Sequence, residues 1–191
     1  MIPGDRRSTV DAPAPFLVPE RSSPLIDYEY GGVAINDSSQ GLMVKVWTAR
    51  YDARVAAIYL SAPGVDEFLL FGRPGVTEIG LAFDQNMNPF VCFVQNKEPW
   101  VWWYDPVSQE QLFTKDLLPA DAVNPRCTLD DGRNFNVSNS DIILAYVRDG
   151  AIRHRKQRER FATERTFAGS AKGLWQLGMA TNLRLEASYF P

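Results

Sequence analysis

Polar and apolar residues alternate along this chain in short runs, the period of half-buried strands, and seldom recur at helical spacing. Residues 42–48 and 55–60 are rich in β-branched and aromatic side chains. They are predicted as a hairpin turning at Tyr51-Asp52-Ala53-Arg54, with 67–71 as a third strand. Residues 90–95 and 100–104 make a second hairpin across Asn96-Lys97-Glu98-Pro99. Residues 142–147 and 152–157 make a third across Asp149-Gly150, the strongest turn signal here because both residue types accept positive φ. A last pair, 174–179 and 183–190, straddles Ala180-Thr181-Asn182. The best helical candidate is 109–118.

The second and third hairpins match beyond their pattern. Residues 93–113 can be laid on 146–167 with a short gap in the turn, and each hairpin continues into a polar third strand. Turns recur about every 45–50 residues, the length of an antiparallel sheet repeat or propeller blade. The expected fold is therefore all-β, built of antiparallel hairpin or blade-like repeats, propeller-like or sandwich. The repeats fall at about 42–72, 76–118 and 126–168, with a C-terminal hairpin at 174–190, all within a β-domain of 28–191. Three blades do not close a propeller. Open sheet edges need covering, so association with other chains is expected.

Residues 1–27 are different. Five prolines (Pro3, Pro13, Pro15, Pro19, Pro24) interrupt them, and proline fixes φ and removes a donor. The segment is expected to be extended, either as a disordered tail or as an arm that lies on a neighbouring subunit, anchored by apolar residues such as Phe16 and Leu17.

Composition narrows the classes of function. A net charge of −3 over 191 residues argues against bulk electrostatic binding of nucleic acid. Two cysteines, Cys92 and Cys127, cannot build a disulfide framework, and one histidine cannot anchor a His-based metal site. No apolar run follows Arg6 and Arg7 as in a secretory signal, and no stretch approaches 18 apolar residues. A protein made in the cytoplasm, without membrane contact and with reduced thiols, is expected.

Chemistry-bearing patterns are few. His154, the only possible imidazole base, lies among Arg153, Arg155 and Lys156, whose charge disfavours an imidazolium. There is no Gly-rich phosphate loop, since Gly72-Arg73-Pro74-Gly75 lacks the lysine and the following helix. No catalytic residue, cofactor site or metal site is assigned, and the chain is not expected to be an enzyme. Two stretches remain as interface candidates. Alternation puts Trp100, Trp102 and Tyr104 on one face of a strand and Trp103 on the other, which suits a packed sheet, a protein interface or a sugar-stacking platform. Residues 148–165 carry seven Lys/Arg against three acids, a net +4 that leaves −7 for the rest of the chain. Arg153, Arg155 and Arg158 then mark either a solvated edge strand or a contact for acidic protein or phosphate, the one place where nucleic acid could bind.

Two resemblances follow from these residues. Thr128-Leu129-Asp130-Asp131-Gly132-Arg133-Asn134-Phe135 resembles the Asp-box of sialidase-like propellers, with Asn134 where that motif has threonine; it implies a locked turn and no catalysis. The run from Ser140 through Asp149-Gly150 to Phe161, with Leu174-Trp175-Gln176-Leu177-Gly178-Met179 and Leu183-Arg184-Leu185-Glu186, is similar to segments of tailed-bacteriophage virion proteins. The likeness covers residues 76–191; the first 75 match no motif. It implies a tail, baseplate or fibre-attachment subunit in a homo-oligomeric ring with other virion subunits, assembled in the host cytoplasm. A head-to-tail connector subunit near the DNA channel and a glycan-binding receptor-recognition module are the alternatives.

Overall fold

A computed structural model of the chain describes residues 28–36, 45–84, 88–105, 107–130, 141–179 and 185–191. They form four antiparallel sheets. Sheet 1 contains β1 (Tyr28–Asn36), β2 (Lys45–Asp52), β3 (Ala57–Ala62) and β4 (Val65–Gly72), and sheet 2 contains β5 (Val76–Phe83), β6 (Pro89–Gln95), β7 (Glu98–Asp105) and β8 (Glu110–Thr114). Sheet 3 contains β9 (Val123–Asp130), β10 (Asp141–Arg148), β11 (Ala151–Lys156) and β12 (Arg165–Gly169). Sheet 4 has two strands, β13 (Gly173–Met179) and β14 (Leu185–Phe190). Every strand pairs with its neighbour in sequence, so each sheet is an up-and-down meander. The fold is all-β with blade-like repeats, as the sequence predicts.

Local turn chemistry sets the hairpins. Asn96 and Lys97 (φ 53° and 68°) join β6 to β7, and Asp149 and Gly150 (φ 51° and 67°) join β10 to β11, each a two-residue turn with both centres left-handed. The first turn lies two residues later than expected, at 53–56. Tyr51 is drawn into the ladder opposite Ile58 because its ring is buried between sheets 1 and 2. Its hydroxyl accepts the Gly75 N–H at 3.1 Å. Residues 109–118 contain no helix: Glu110–Thr114 is strand β8, paired with β7, because that places Phe113 5.0 Å from Phe71 and 6.4 Å from Trp102. The repeat closes the same way in two sheets. The Arg73 N–H donates to the Ala56 carbonyl and the Ala171 N–H to the Gly150 carbonyl, both at 2.7 Å.

Each repeat proves to have four strands where the sequence suggested three. The additional strands, β1, β5 and β9, are the innermost: β1 lies beside β5, β5 beside β9, and β9 beside the expected strand β13. Gly80 permits the closest approach, since a Cβ there would sit 3.2 Å from the Arg126 Cα and 3.3 Å from the Cys127 nitrogen. The sheets pack face to face in series over three cores. Ala49, Tyr51, Ile58, Leu60 and Phe71 of sheet 1 meet Ile79, Leu81, Phe83, Val91, Phe93 and Trp102 of sheet 2. Phe90, Cys92 and Val101 on the other face of sheet 2 meet Ile142, Leu144, Tyr146 and Phe161. Ile143, Ala145, Val147 and Ile152 meet Leu174 and Leu177 of sheet 4. Each buried Val, Leu, Ile or Phe among them contributes about 1.5–3 kcal/mol by leaving water.

Candidate functional site

The tryptophan strand β7 is packed on both faces. Trp102 is 4% exposed, with its ring 5.1 Å from Phe71 of sheet 1. Trp100 lies half-buried on the same face, under the Arg73 guanidinium (5.3 Å) and the Lys115 ammonium (4.5 Å), a cation–π arrangement that covers the indole. Trp103, on the opposite face, stacks edge-on against Phe161 at 5.7 Å and lies 6.1 Å from Phe90. Tyr104 is half-buried opposite Gln111. These rings hold sheet 2 between its neighbours.

The basic strand β11 is not an edge strand, which corrects the solvated-edge expectation: it pairs with β10 on one side and β12 on the other. Its charge is tolerated in part because Arg153 and Arg155 each reach a local acceptor. Arg155 donates to the Leu117 carbonyl at 3.2 Å and stands 3.7 Å from Glu164. Arg153 donates to the Thr166 hydroxyl. Glu164 gathers further partners: the Tyr146 hydroxyl donates to it at 2.5 Å, and Arg148, itself bound to Asp121 at 3.0 Å, lies 3.5 Å away. Burial, and then the bond to Glu164, push the Tyr146 hydroxyl above its ordinary pKa. It therefore stays a donor. The Glu164 carboxylate is held by two guanidinia and a phenol, and the same guanidinia, through Asp121 and Leu117, tie β10 and β11 to the connection between β8 and β9. Arg158 is exposed in a single 3-10 turn, Gln157–Glu159.

The sequence held no signal for a polar brace that joins three sheets. Glu78 of β5 accepts from Asn124 (3.0 Å) and Arg126 (2.9 Å) of β9, and the Arg126 Nε donates to the Trp175 carbonyl of β13 at 2.9 Å. Residues about 50 positions apart in sequence meet there. Sheet 4 is held by this brace and its apolar face. Gly173 lets β13 pass close to β14 and β9, since a Cβ would stand 3.2 Å from the Phe190 ring and 3.4 Å from the Asn124 side chain.

Beyond that contact sheet 4 is open. The Lys172 N–H donates to the Phe190 carbonyl at 2.8 Å, so Phe190 directs its backbone at β13. Backbone groups alternate along a strand, so Leu185, Ala187 and Tyr189 direct theirs the other way, to an edge with no strand among the described residues. Trp175 and Phe190 stack at 4.5 Å while 37% and 52% exposed, and Tyr189 is 40% exposed. Sheet 4 thus combines an edge without a strand among the described residues with three large exposed rings, as the outer edge strand β4 does with Phe68 and Leu69.

Other candidate chemistry is dispersed. The thiols of Cys92 and Cys127 are buried, and burial pushes the Cys127 thiol up. Among the described residues no three His, Cys, Asp or Glu side chains are grouped to hold a metal, and no helix is long and apolar enough to cross a membrane. Phe16 and Leu17 of the arm, and Asp131–Phe135 of the Asp-box-like motif, lie outside the described residues; Thr128 to Asp130 end β9. No protein-family model, curated protein or solved structure matches the chain.

Proposed function

We propose that this chain is a structural subunit of a bacteriophage tail, in its ring, baseplate or fibre-attachment region, and acts through protein–protein assembly with other virion subunits. The observation that carries the proposal is sheet 4, which among the described residues has two strands where the other sheets have four, with Trp175, Tyr189 and Phe190 exposed beside its open edge. An edge of this kind is a template for another chain, and exposed aromatic rings are the usual anchors of protein interfaces. The segments that resemble virion proteins include β10, β11, β13 and part of β14, so the likeness falls on this end of the molecule. The alternatives ask for different surfaces. A DNA passage needs free cations on β11, where Arg155 is engaged by Leu117 and Glu164. A sugar platform on β7 needs an open indole, and Trp102 is buried.

Light scattering and electron microscopy of the purified chain test the proposal. The expected result is a discrete ring of several copies; a monomer at every concentration would overturn it.

A further inference from the structure

The chain's two cysteines lie on different sheets, Cys92 in β6 of sheet 2 and Cys127 in β9 of sheet 3, and the fold brings them together. Both are buried in the core between those sheets, among Ala82, Phe90, Val101 and Ile142. Gly80 provides the room. The Cys92 sulfur stands 2.6 Å from the place a Cβ on Gly80 would take, and the Cys127 nitrogen stands 3.3 Å from the same place. The sulfur thus fills the side-chain space that glycine leaves and leans over β5 towards β9. The Cys92 thiol lies 3.8 Å from the Gly80 carbonyl oxygen and the Cys127 thiol 3.7 Å from that of Phe90, both weak sulfur bonds. The two thiols also interact directly with each other. Packing alone asks only for a small apolar side chain at each position and gives no reason for two sulfurs to meet. Among the described residues no further metal-ligating side chains join them.

We infer that Cys92 and Cys127 form a reversible dithiol–disulfide couple, whose oxidised form is a covalent staple between sheets 2 and 3. The oxidant is a low-molecular-weight disulfide, such as oxidised glutathione. One protein thiolate attacks it, forms a mixed disulfide and expels one glutathione thiolate. The second protein thiol gives up its proton, attacks the protein sulfur of that intermediate and expels the other glutathione thiolate. Two protein thiols are thereby oxidised to one S–S bond, and one glutathione disulfide is reduced to two thiols. Burial sets the rate. The thiolate is the nucleophile, and burial pushes the Cys127 thiol up, so the folded chain reacts through local opening of sheet 3 from sheet 2. Once closed, the bond restricts the unfolded chain between residues 92 and 127. The staple acts within one chain and stands apart from the assembly reading.

The test incubates the full-length chain in glutathione redox buffer, with and without urea below the unfolding midpoint. Remaining thiols are alkylated, and peptides are mapped by mass spectrometry without reduction. The expected product is an intrachain Cys92–Cys127 disulfide, with both thiols lost together and about tenfold faster in the urea-containing buffer. The oxidised chain should melt about 5–15 °C above the reduced one, and dithiothreitol should restore the lower Tm. Cys127→Ala should show no such rise in oxidising buffer; if that variant does not fold, the peptide map and melting shift of the parent still decide. Two free thiols persisting in the urea-containing oxidising buffer, stable glutathione adducts in place of the intrachain bond, or links between chains only would overturn the couple. A closed bond that leaves Tm unchanged or lowers it would overturn the staple.

Discussion

β7 and β11 are the third strands of successive sheets and match position for position outward from their turns. Trp100 pairs with Phe93 as Arg153 pairs with Tyr146, and Trp102 pairs with Val91 as Arg155 pairs with Leu144. Both sets face the preceding sheet, yet one is aromatic and the other cationic. The second strands beneath them are apolar in both: Val91 and Phe93 in one, Leu144 and Tyr146 in the other. The blade interface therefore constrains its inner strands to apolar residues and leaves the third strand free to solve its own packing. At sheets 1 and 2 the solution is a stack of rings with Arg73 and Lys115 over it. At sheets 2 and 3 it is a carboxylate, Glu164, shared among Tyr146, Arg148 and Arg155.

The largest effect expected from breaking this comparison is at Trp102. Trp102→Ala opens a cavity beside Phe71 and Phe113 and should cost about 3–5 kcal/mol, a fall of about 10 °C in Tm by calorimetry. The matching deletion on the cationic side, Arg155→Ala, removes a half-buried side chain held by one carbonyl and a distant carboxylate and should cost about 1 kcal/mol. If the two losses were equal, the third strands would not differ in what they bear. Tyr146→Phe separates packing from the network: the ring stays, the donor to Glu164 goes, and urea titration should register a loss of about 1–2 kcal/mol. Arg153→Ala should be within about 0.5 kcal/mol of the parent.

Sheet 1 supplies the finest contrast, through Asp52, which stands before its turn where Arg148 stands in sheet 3. The Arg54 side chain, the Arg50 guanidinium and the Arg54 N–H together hold the Asp52 carboxyl down to about 2. A depressed folded pKa stabilises fully above the ordinary value near 3.8 and is lost as pH falls through about 2. Asp52→Asn should accordingly flatten the decline of Tm between pH 4 and pH 2 and leave the slope near pH 7 unchanged. An unchanged acid limb would remove Asp52 from the account.

The hairpins were legible in the sequence because a turn such as Asp149-Gly150 is decided by its own two residues. The inner strands were not. In β5 the run Ile79 to Phe83 is buried without a break, so its alternation vanishes. In β9, Pro125 reads as a breaker, yet it sits at an irregularity between the pairings of Ala145 and Val147 and leaves the ladder intact on either side. The charge of β11 suggested an edge because sequence reports polarity and is silent on which strand lies alongside. Of the open edge, only the neighbouring strands could be foreseen. Trp175 and Phe190 gave no sign of exposure, and Glu78, Arg126 and Trp175 lie too far apart along the chain to be read as partners.

What the amino acids determined by themselves is therefore local: strand period, turn positions and the recurrence of the hairpin unit, each set by φ preferences and side-chain period within a few residues. What only the tertiary structure decided is non-local: the fourth strand of each repeat, the service of β7 as core and β11 as an interior charged strand, the inner-strand brace, and the unfinished edge of sheet 4. Those depend on which surfaces meet across long loops, and burial and electrostatics act between neighbours in space whatever their distance along the chain.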